Sequence, residues 1–237
     1  MKTQMKILAL VAVVLSFTNA STAIADDDVI QDSGSWLQVV AEGNLKAIDP
    51  SLEKTRLWVE GQSRFNNDFD HWYQGMVRTA VGYSLSDRAT IWAGYTWLPT
   101  QNIGKQFVSQ QDVWPAFRYV LPTEMGTFMF RTMIESNFLG GNEVRVRPRQ
   151  MVKFTHPLEF EPRLSLVMWD EAFVRTNTTQ YGGKSGFDQN RAFAGLGWTF
   201  NSSIRTELGY MNHYFDDTKH IDSTMRHLVM GSLFFSF

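Results

Sequence analysis

The run Phe187-Asp188-Gln189-Asn190-Arg191-Ala192-Phe193-Ala194-Gly195-Leu196-Gly197-Trp198-Thr199-Phe200 decides the fold. Ala192, Ala194, Leu196, Trp198 and Phe200 share one parity, and Arg191, Phe193, Gly195, Gly197 and Thr199 share the other. Side chains of an extended chain alternate between the two faces of a sheet. This is therefore a strand with one wholly apolar face and one face carrying a charge and glycines. Segment 89–98 repeats the pattern, with Ile91, Ala93, Tyr95 and Trp97 set against Thr90, Trp92, Gly94 and Thr96.

Outward from these two segments, period-two alternation persists from Gly34 to the C-terminus, and no segment sustains a helical period. The pattern predicts strands at 34–46, 55–65, 72–85, 89–98, 108–121, 126–138, 143–156, 161–175, 187–200, 203–216 and 223–237. Their connections come in two lengths. Ser86-Asp87-Arg88, Pro122 to Met125 and Asn201-Ser202 are tight turns, whereas 99–107, 177–186 and 217–222 are longer and polar. Short turns at one end and long loops at the other characterise transmembrane barrels.

With one parity assigned per strand, thirteen of the fourteen arginines oppose the apolar set, and the fourteenth, Arg88, is in a turn. A soluble sandwich would also alternate, with its apolar face inward. The aromatic positions separate the two architectures. Tyr73, Tyr95, Trp97, Tyr210 and Tyr214 fall on the apolar face near the loop end, and Tyr83, Tyr119, Trp198, Phe200, Phe235 and Phe237 near the turn end. Two aromatic rings bracketing an aliphatic band match the two interfaces of a bilayer, whereas a sandwich would hold such rings at mid-strand in its core.

The N-terminus agrees. Lys2 and Lys6 precede the apolar run 7–17, which is too short to span a bilayer, and Ala23-Ile24-Ala25 is a small-x-small cleavage site. Residues 1–25 are expected to be a cleaved secretory leader and 26–237 one barrel domain. That domain keeps 20 of the 22 Lys and Arg and all 24 Asp and Glu, a net charge of −4, which gives no reason to expect nucleic acid as a partner. No stretch is long and apolar enough for a transmembrane helix, and cysteine is absent. The expectation is an all-β, antiparallel, up-and-down transmembrane barrel of about 10–12 strands in the bacterial outer membrane. Single-chain bacterial barrels have even strand numbers. Eleven candidates therefore imply that 34–46 is not a wall strand or that one strand has been merged. Asp170 has lipid-facing parity, which suggests a bulge there.

The run from Phe187 to Gly197, followed by Glu207-Leu208-Gly209-Tyr210-Met211-Asn212, resembles the final third of a bacterial family catalogued as domain of unknown function 2490. Trp36, Arg64-Phe65 and Ala93-Gly94-Tyr95 resemble its earlier strands, so the likeness covers nearly all of 26–237. It implies an outer-membrane barrel and brings no established activity or catalytic residues. The strand 223–237 ends on alternating Val229, Gly231, Leu233, Phe235 and Phe237. A terminal phenylalanine resembles the signal read by the barrel insertion machinery, an expected partner alongside outer-membrane lipid and lipopolysaccharide.

Candidate chemistry lies on the inward parity. Arg145, Arg147, Arg149 and Lys153 follow one another on one face of a strand, and Arg191 and Arg205 add to them. Guanidinium groups two residues apart stand roughly 7 Å from each other, tolerable only with water or carboxylates opposite. Glu60, Glu135, Glu171 and Glu207, with Glu42 and Asp112, are the candidate partners. Two readings follow: an anion-attracting lumen acting as a narrow pore or binding module for small anionic solutes, or a ladder of ion pairs bracing a closed barrel. A hydrolase acting on lipid or lipopolysaccharide is a further alternative, motivated by His213 near Glu207 with Ser223 or Ser232; a purely structural role is another. The histidines lack metal-ligand spacing, and neither a metal nor another cofactor is expected. Gly140-Gly141 and Gly182-Gly183 precede no helix and are loop glycines rather than phosphate cradles.

Overall fold

The computed structural model describes residues 29–138, 143–180, 183–216 and 223–237. The expected leader, Gly140, Gly141, Gly182 and His220 lie outside them. The alternating segments form β1 (Ile30–Asn44), β2 (Thr55–Asn66), β3 (His71–Ser84), β4 (Ala89–Thr100), β5 (Val108–Thr123), β6 (Gly126–Phe138), β7 (Val144–Leu158), β8 (Glu161–Arg175), β9 (Gly186–Thr199), β10 (Ile204–Phe215) and β11 (Thr224–Ser236).

Among the described residues these eleven strands close into a barrel in sequence order, each antiparallel to the next. The closing pair is different: β1 and β11 run parallel, in register from Ile30↔Thr224 to Glu42↔Ser236. The expectation of an even number is therefore corrected, and 34–46 belongs to a wall strand that starts earlier, at Ile30. An odd number of alternating strands leaves the first and last pointing the same way. A parallel ladder between them satisfies their backbone groups and removes both free edges. The seam continues to the last residue, where Phe237 N donates to Glu42 O (3.3 Å) and Asn44 N to Phe237 O (3.1 Å).

The connections 85–88, 124–125, 159–160 and 200–203 lie at one end, called the turn end here, with a ten-residue link, 45–54. That link contains a 3-10 turn, Pro50–Leu52, capped by Asp49, whose side chain accepts from Ser51 N at 2.8 Å. The loop end carries 67–70 and 101–107, and there the end of β6 faces the start of β7, the end of β8 that of β9, and the end of β10 that of β11. Because β1 and β11 are parallel, both start at the loop end.

The wall is apolar outside and charged inside. Leu37, Val59, Val81, Leu196 and Leu208 are exposed on the outer face, while Glu60, Arg78, Glu135 and Glu171 are buried within. Two apolar clusters fill the interior between these charges, one around Trp58, Trp92, Trp114 and Met133 and one around Trp36, Phe193, Met211 and Leu228. Inward glycines make room for indoles. A Cβ on Gly94 would stand 2.2 Å from Trp114 Cζ2, and one on Gly82 would stand 2.5 Å from Trp92 Cε3.

Bulges and a turn alter the parity at three points. The register of β2 on β3 shifts between Arg64 and Phe65, leaving Tyr73 as the extra residue. Tyr73 therefore turns inward, where Arg226 Cζ lies 4.9 Å from its ring centroid, and Trp72 takes the outward place, donating to Ser63 Oγ at 3.1 Å. The expected outward position of Tyr73 is thus corrected. In β8 the shift against β9 falls between Phe173 and Val174 rather than at Asp170, and Asp188 is the extra residue. Asp170 keeps its outward parity and accepts two 3.0 Å contacts from Asn190 Nδ2. Arg163, just beyond the β7–β8 turn, leaves the interior: its side chain is 60% exposed, pairs with Glu161 and lies over Trp198.

Candidate functional site

The barrel interior has two halves. Towards the loop end it is filled by buried side chains, most of them from the neighbouring strands β6 to β9, with Arg78 reaching Glu135 from β3. Arg147 on β7 donates from Nε and Nη2 to Glu135 Oε2 at 2.9 and 2.6 Å, and from Nη1 to Asp188 Oδ2 at 2.9 Å. Arg149, two residues on, donates to Glu135 Oε1 at 2.7 Å and bidentately to Glu171 at 2.8 and 2.8 Å. Arg131 reaches Glu171 at 3.0 Å, and Arg78 reaches Glu60 at 3.2 Å. Arg175 joins Asp188 to Asp216. Met133, Phe173 and Leu228 fill the spaces beside this network and are fully buried. Charges so deeply enclosed are tolerable because the central carboxylates, Glu135 and Glu171, each hold two or more donors in close geometry.

The guanidinium groups that carboxylates do not neutralise find other partners. Arg145 Nε donates to Asn137 Oδ1 at 2.8 Å. Arg191 stacks on Trp36 and Phe173, its Cζ 4.9 and 4.5 Å from their ring centroids, and donates to Gln189 Oε1 at 2.9 Å. Arg64 likewise lies 4.0 Å from the centroid of Trp36. Aromatic faces thus carry part of the electrostatic load that carboxylates cannot reach.

Towards the turn end the interior opens into a cavity of about 550 Å3, walled by Trp36, Trp58, Trp169 and Phe234 and reaching the 200–203 turn. Eight cations line it (Arg56, Arg78, Arg118, Arg131, Arg149, Lys153, Arg191 and Arg205) against four carboxylates, Glu42, Glu60, Glu171 and Glu207. Glu135, just behind the wall, also pairs with Arg149 and Arg78, which leaves three positive charges in excess in a low-dielectric enclosure that focuses the field on the space within. Two ion pairs span this half from facing strands: Arg118 on β5 to Glu42 on β1, and Lys153 on β7 to Glu207 on β10.

Of the basic residues singled out from sequence, Arg149, Lys153, Arg191 and Arg205 reach the cavity wall, whereas Arg145 and Arg147 lie beyond it towards the loop end. Of the carboxylates, Glu60, Glu171 and Glu207 line the cavity and Glu135 sits in the closed half. Sequence reasoning missed two acids that face inward. Asp188 is turned in by the β9 bulge, and Asp32 lies on a portion of β1 that begins before the expected strand and pairs with Arg226 at 3.3 Å. Arg56 and Arg118 had inward parity but no local clustering to mark them.

His213 is buried, with Nε2 2.7 Å from Gln189 Oε1 and its ring edge-on to Trp36. Neither candidate hydroxyl joins it. Tyr214 Oη donates to Ser223 Oγ at 2.9 Å, and Ser232 Oγ donates to Gln38 Oε1 at 3.2 Å. Among the described residues no group of three or more His, Cys, Asp or Glu is arranged to hold a metal.

An eleven-strand closed barrel with its ion pairs inside and its aliphatic residues outside is the class of protein these features define. The model of the family described as "Protein of unknown function (DUF2490)" matches residues 33–224, and the chain belongs to that family. It is also similar to an uncharacterized protein of Methylorubrum extorquens, 26% identical over 196 residues that cover 81% of this chain and 83% of the relative. No solved structure matches it.

Proposed function

We propose that this is an outer-membrane barrel that does not conduct along its length and instead holds a small anionic solute in the cavity at its turn end. The observation that carries the reading is the excess of cations over carboxylates at the cavity wall. A water-filled space with that imbalance attracts anions, because the surrounding wall screens the charge poorly. The outward aliphatic belt supports the membrane location: in water it would be a contiguous apolar patch far larger than soluble monomers expose. In that setting the turn end faces the periplasm.

Two measurements on the refolded protein test the reading. In planar bilayers it gives no steady current, since the Arg147–Glu135–Arg149–Glu171 layer fills the loop-end half. Stepwise conductance would overturn the closed lumen. Titration with methylphosphonate perturbs the fluorescence of the cavity tryptophans saturably, and the Arg118→Gln, Arg205→Gln double variant weakens that response. Absence of a saturable response in the wild type removes the anion site.

A further inference from the structure

Near its turn end the cavity holds two clusters built alike, each a carboxylate between two cations. In one, Glu42 on β1 accepts from Arg118 through both oxygens, each at 2.6 Å, and from Arg56 at 2.9 Å. In the other, Glu207 on β10 accepts from Lys153 at 2.6 and 2.9 Å and pairs with Arg205 at 2.9 Å. Each cluster is one carboxylate between two cations and keeps one net positive charge. One cation of each cluster is the most open to solvent: the side chains of Arg205 and Arg56 are 32% and 27% exposed, against 13% for Lys153 and 6% and 5% for Arg78 and Arg149.

Strand β11 runs between the clusters. Glu42 is in register with Ser236 and Glu207 with Ser232. Phe234, halfway between those serines, lies with its ring centroid 5.2 Å from Lys153 Nζ and 4.7 Å from Arg205 Cζ. Four residues of strand separate the two register positions by roughly 13 Å. β1 and β10 flank β11 on opposite sides, each about 5 Å from it, so the two clusters stand roughly 16 Å apart at the backbone with Phe234 between them.

We infer that the cavity takes an elongated dianion, with one anionic group at each cluster and an apolar middle lying against Phe234. The inference rests on the anion-binding reading above and names the ligand class. A single anion at one cluster meets one net charge and leaves the other cluster unused. Two anions joined by a spacer of matching length make the second contact intramolecular, so the two contacts multiply. A spacer that is too short leaves the second cluster empty.

The test compares four probes on the full-length refolded barrel by calorimetry: methylphosphonate, octylphosphonate, propane bisphosphonate and octane bisphosphonate. The octane bisphosphonate binds about tenfold or more tighter than either octylphosphonate, which has the same chain and one anion, or the short bisphosphonate. Arg56→Gln or Arg205→Gln each removes that advantage while methylphosphonate still binds the remaining cluster. If octylphosphonate and octane bisphosphonate bind equally, the dianion inference falls and the anion site stands. If none of the four binds, both fall. The wild-type comparison decides the matter without any variant, so a variant that fails to fold leaves the result intact.

Discussion

At the scale of single residues, Glu135 is the clearest case of a side chain whose worth depends on its neighbours. It comes from β6, is 1% exposed, and faces Arg78, Arg147 and Arg149 at once. Removing one member of a buried charge network typically costs about 3–5 kcal/mol, because the partners stay buried without compensation. Here Arg147 retains Asp188, Arg149 retains Glu171 and Arg78 retains Glu60, so the lower end of that range applies. Glu135→Gln is therefore expected to lower stability by about 3 kcal/mol in urea unfolding from lipid vesicles. Glu161→Gln breaks the pair with Arg163 at the exposed turn and leaves the unfolding midpoint unchanged. If both substitutions have the same effect, the network contributes nothing beyond ordinary surface pairing. The two sites look alike in sequence, since both are glutamates on alternating strands. Only the count of guanidinium groups converging on Glu135 from strands β3 and β7 separates them, and convergence across a barrel has no local signature.

At the scale of elements, the strands and the faces they present were legible because period two is a local property, and each strand carries enough residues to declare it. The closure was not legible. Whether the first strand pairs with the last, and in which direction, depends on strands nearly two hundred residues apart and on no motif within either. The same holds for the cavity: Arg118 and Glu42 are partners across the lumen, and nothing near either residue signals the other. Bulges were the second loss. A single extra residue at Tyr73 or Asp188 reverses parity beyond it, and neither position holds a glycine or proline that would mark it. The parallel seam is directly testable, because the chain has no cysteine to interfere. Ser35 on β1 and Val229 on β11 are register partners on the outer face. The double variant Ser35→Cys, Val229→Cys is expected to form a disulfide on mild oxidation, detected as a mass loss of two hydrogens and a gel-mobility shift that reductant reverses. Ser35→Cys with Leu233→Cys, a strand position four residues away, serves as the mismatched control and stays reduced. Equal oxidation of both pairs, or of neither, contradicts the register.

At the scale of the whole molecule, the inversion of charge and the odd strand number bear on the orientation proposed above. Ion pairs inside and aliphatic residues outside suit a barrel whose exterior meets lipid, and apart from the link 45–54 the longer connections are at one end. Since β1 and β11 are parallel, the start of β1 lies at that same end, whereas an even-stranded barrel has the start of its first strand beside the short turns. Single cysteines introduced into the cysteine-free chain can report both points in intact cells. Asn102, in the 101–107 connection, and Ile30, at the start of β1, lie at the loop end; Asp87, in the 85–88 turn, lies at the other. All three are exposed. A membrane-impermeant maleimide is expected to label Asn102→Cys and Ile30→Cys on intact cells, and Asp87→Cys only after the outer membrane is made permeable. Labelling of Asp87→Cys on intact cells with protection of Asn102→Cys would reverse the orientation and open the cavity to the outside. Labelling of Asn102→Cys with protection of Ile30→Cys would instead contradict the parallel seam while leaving the barrel in the membrane. No labelling of any of the three before permeabilisation would remove the outer-membrane placement itself, and with it the reason for the cavity to face the periplasm.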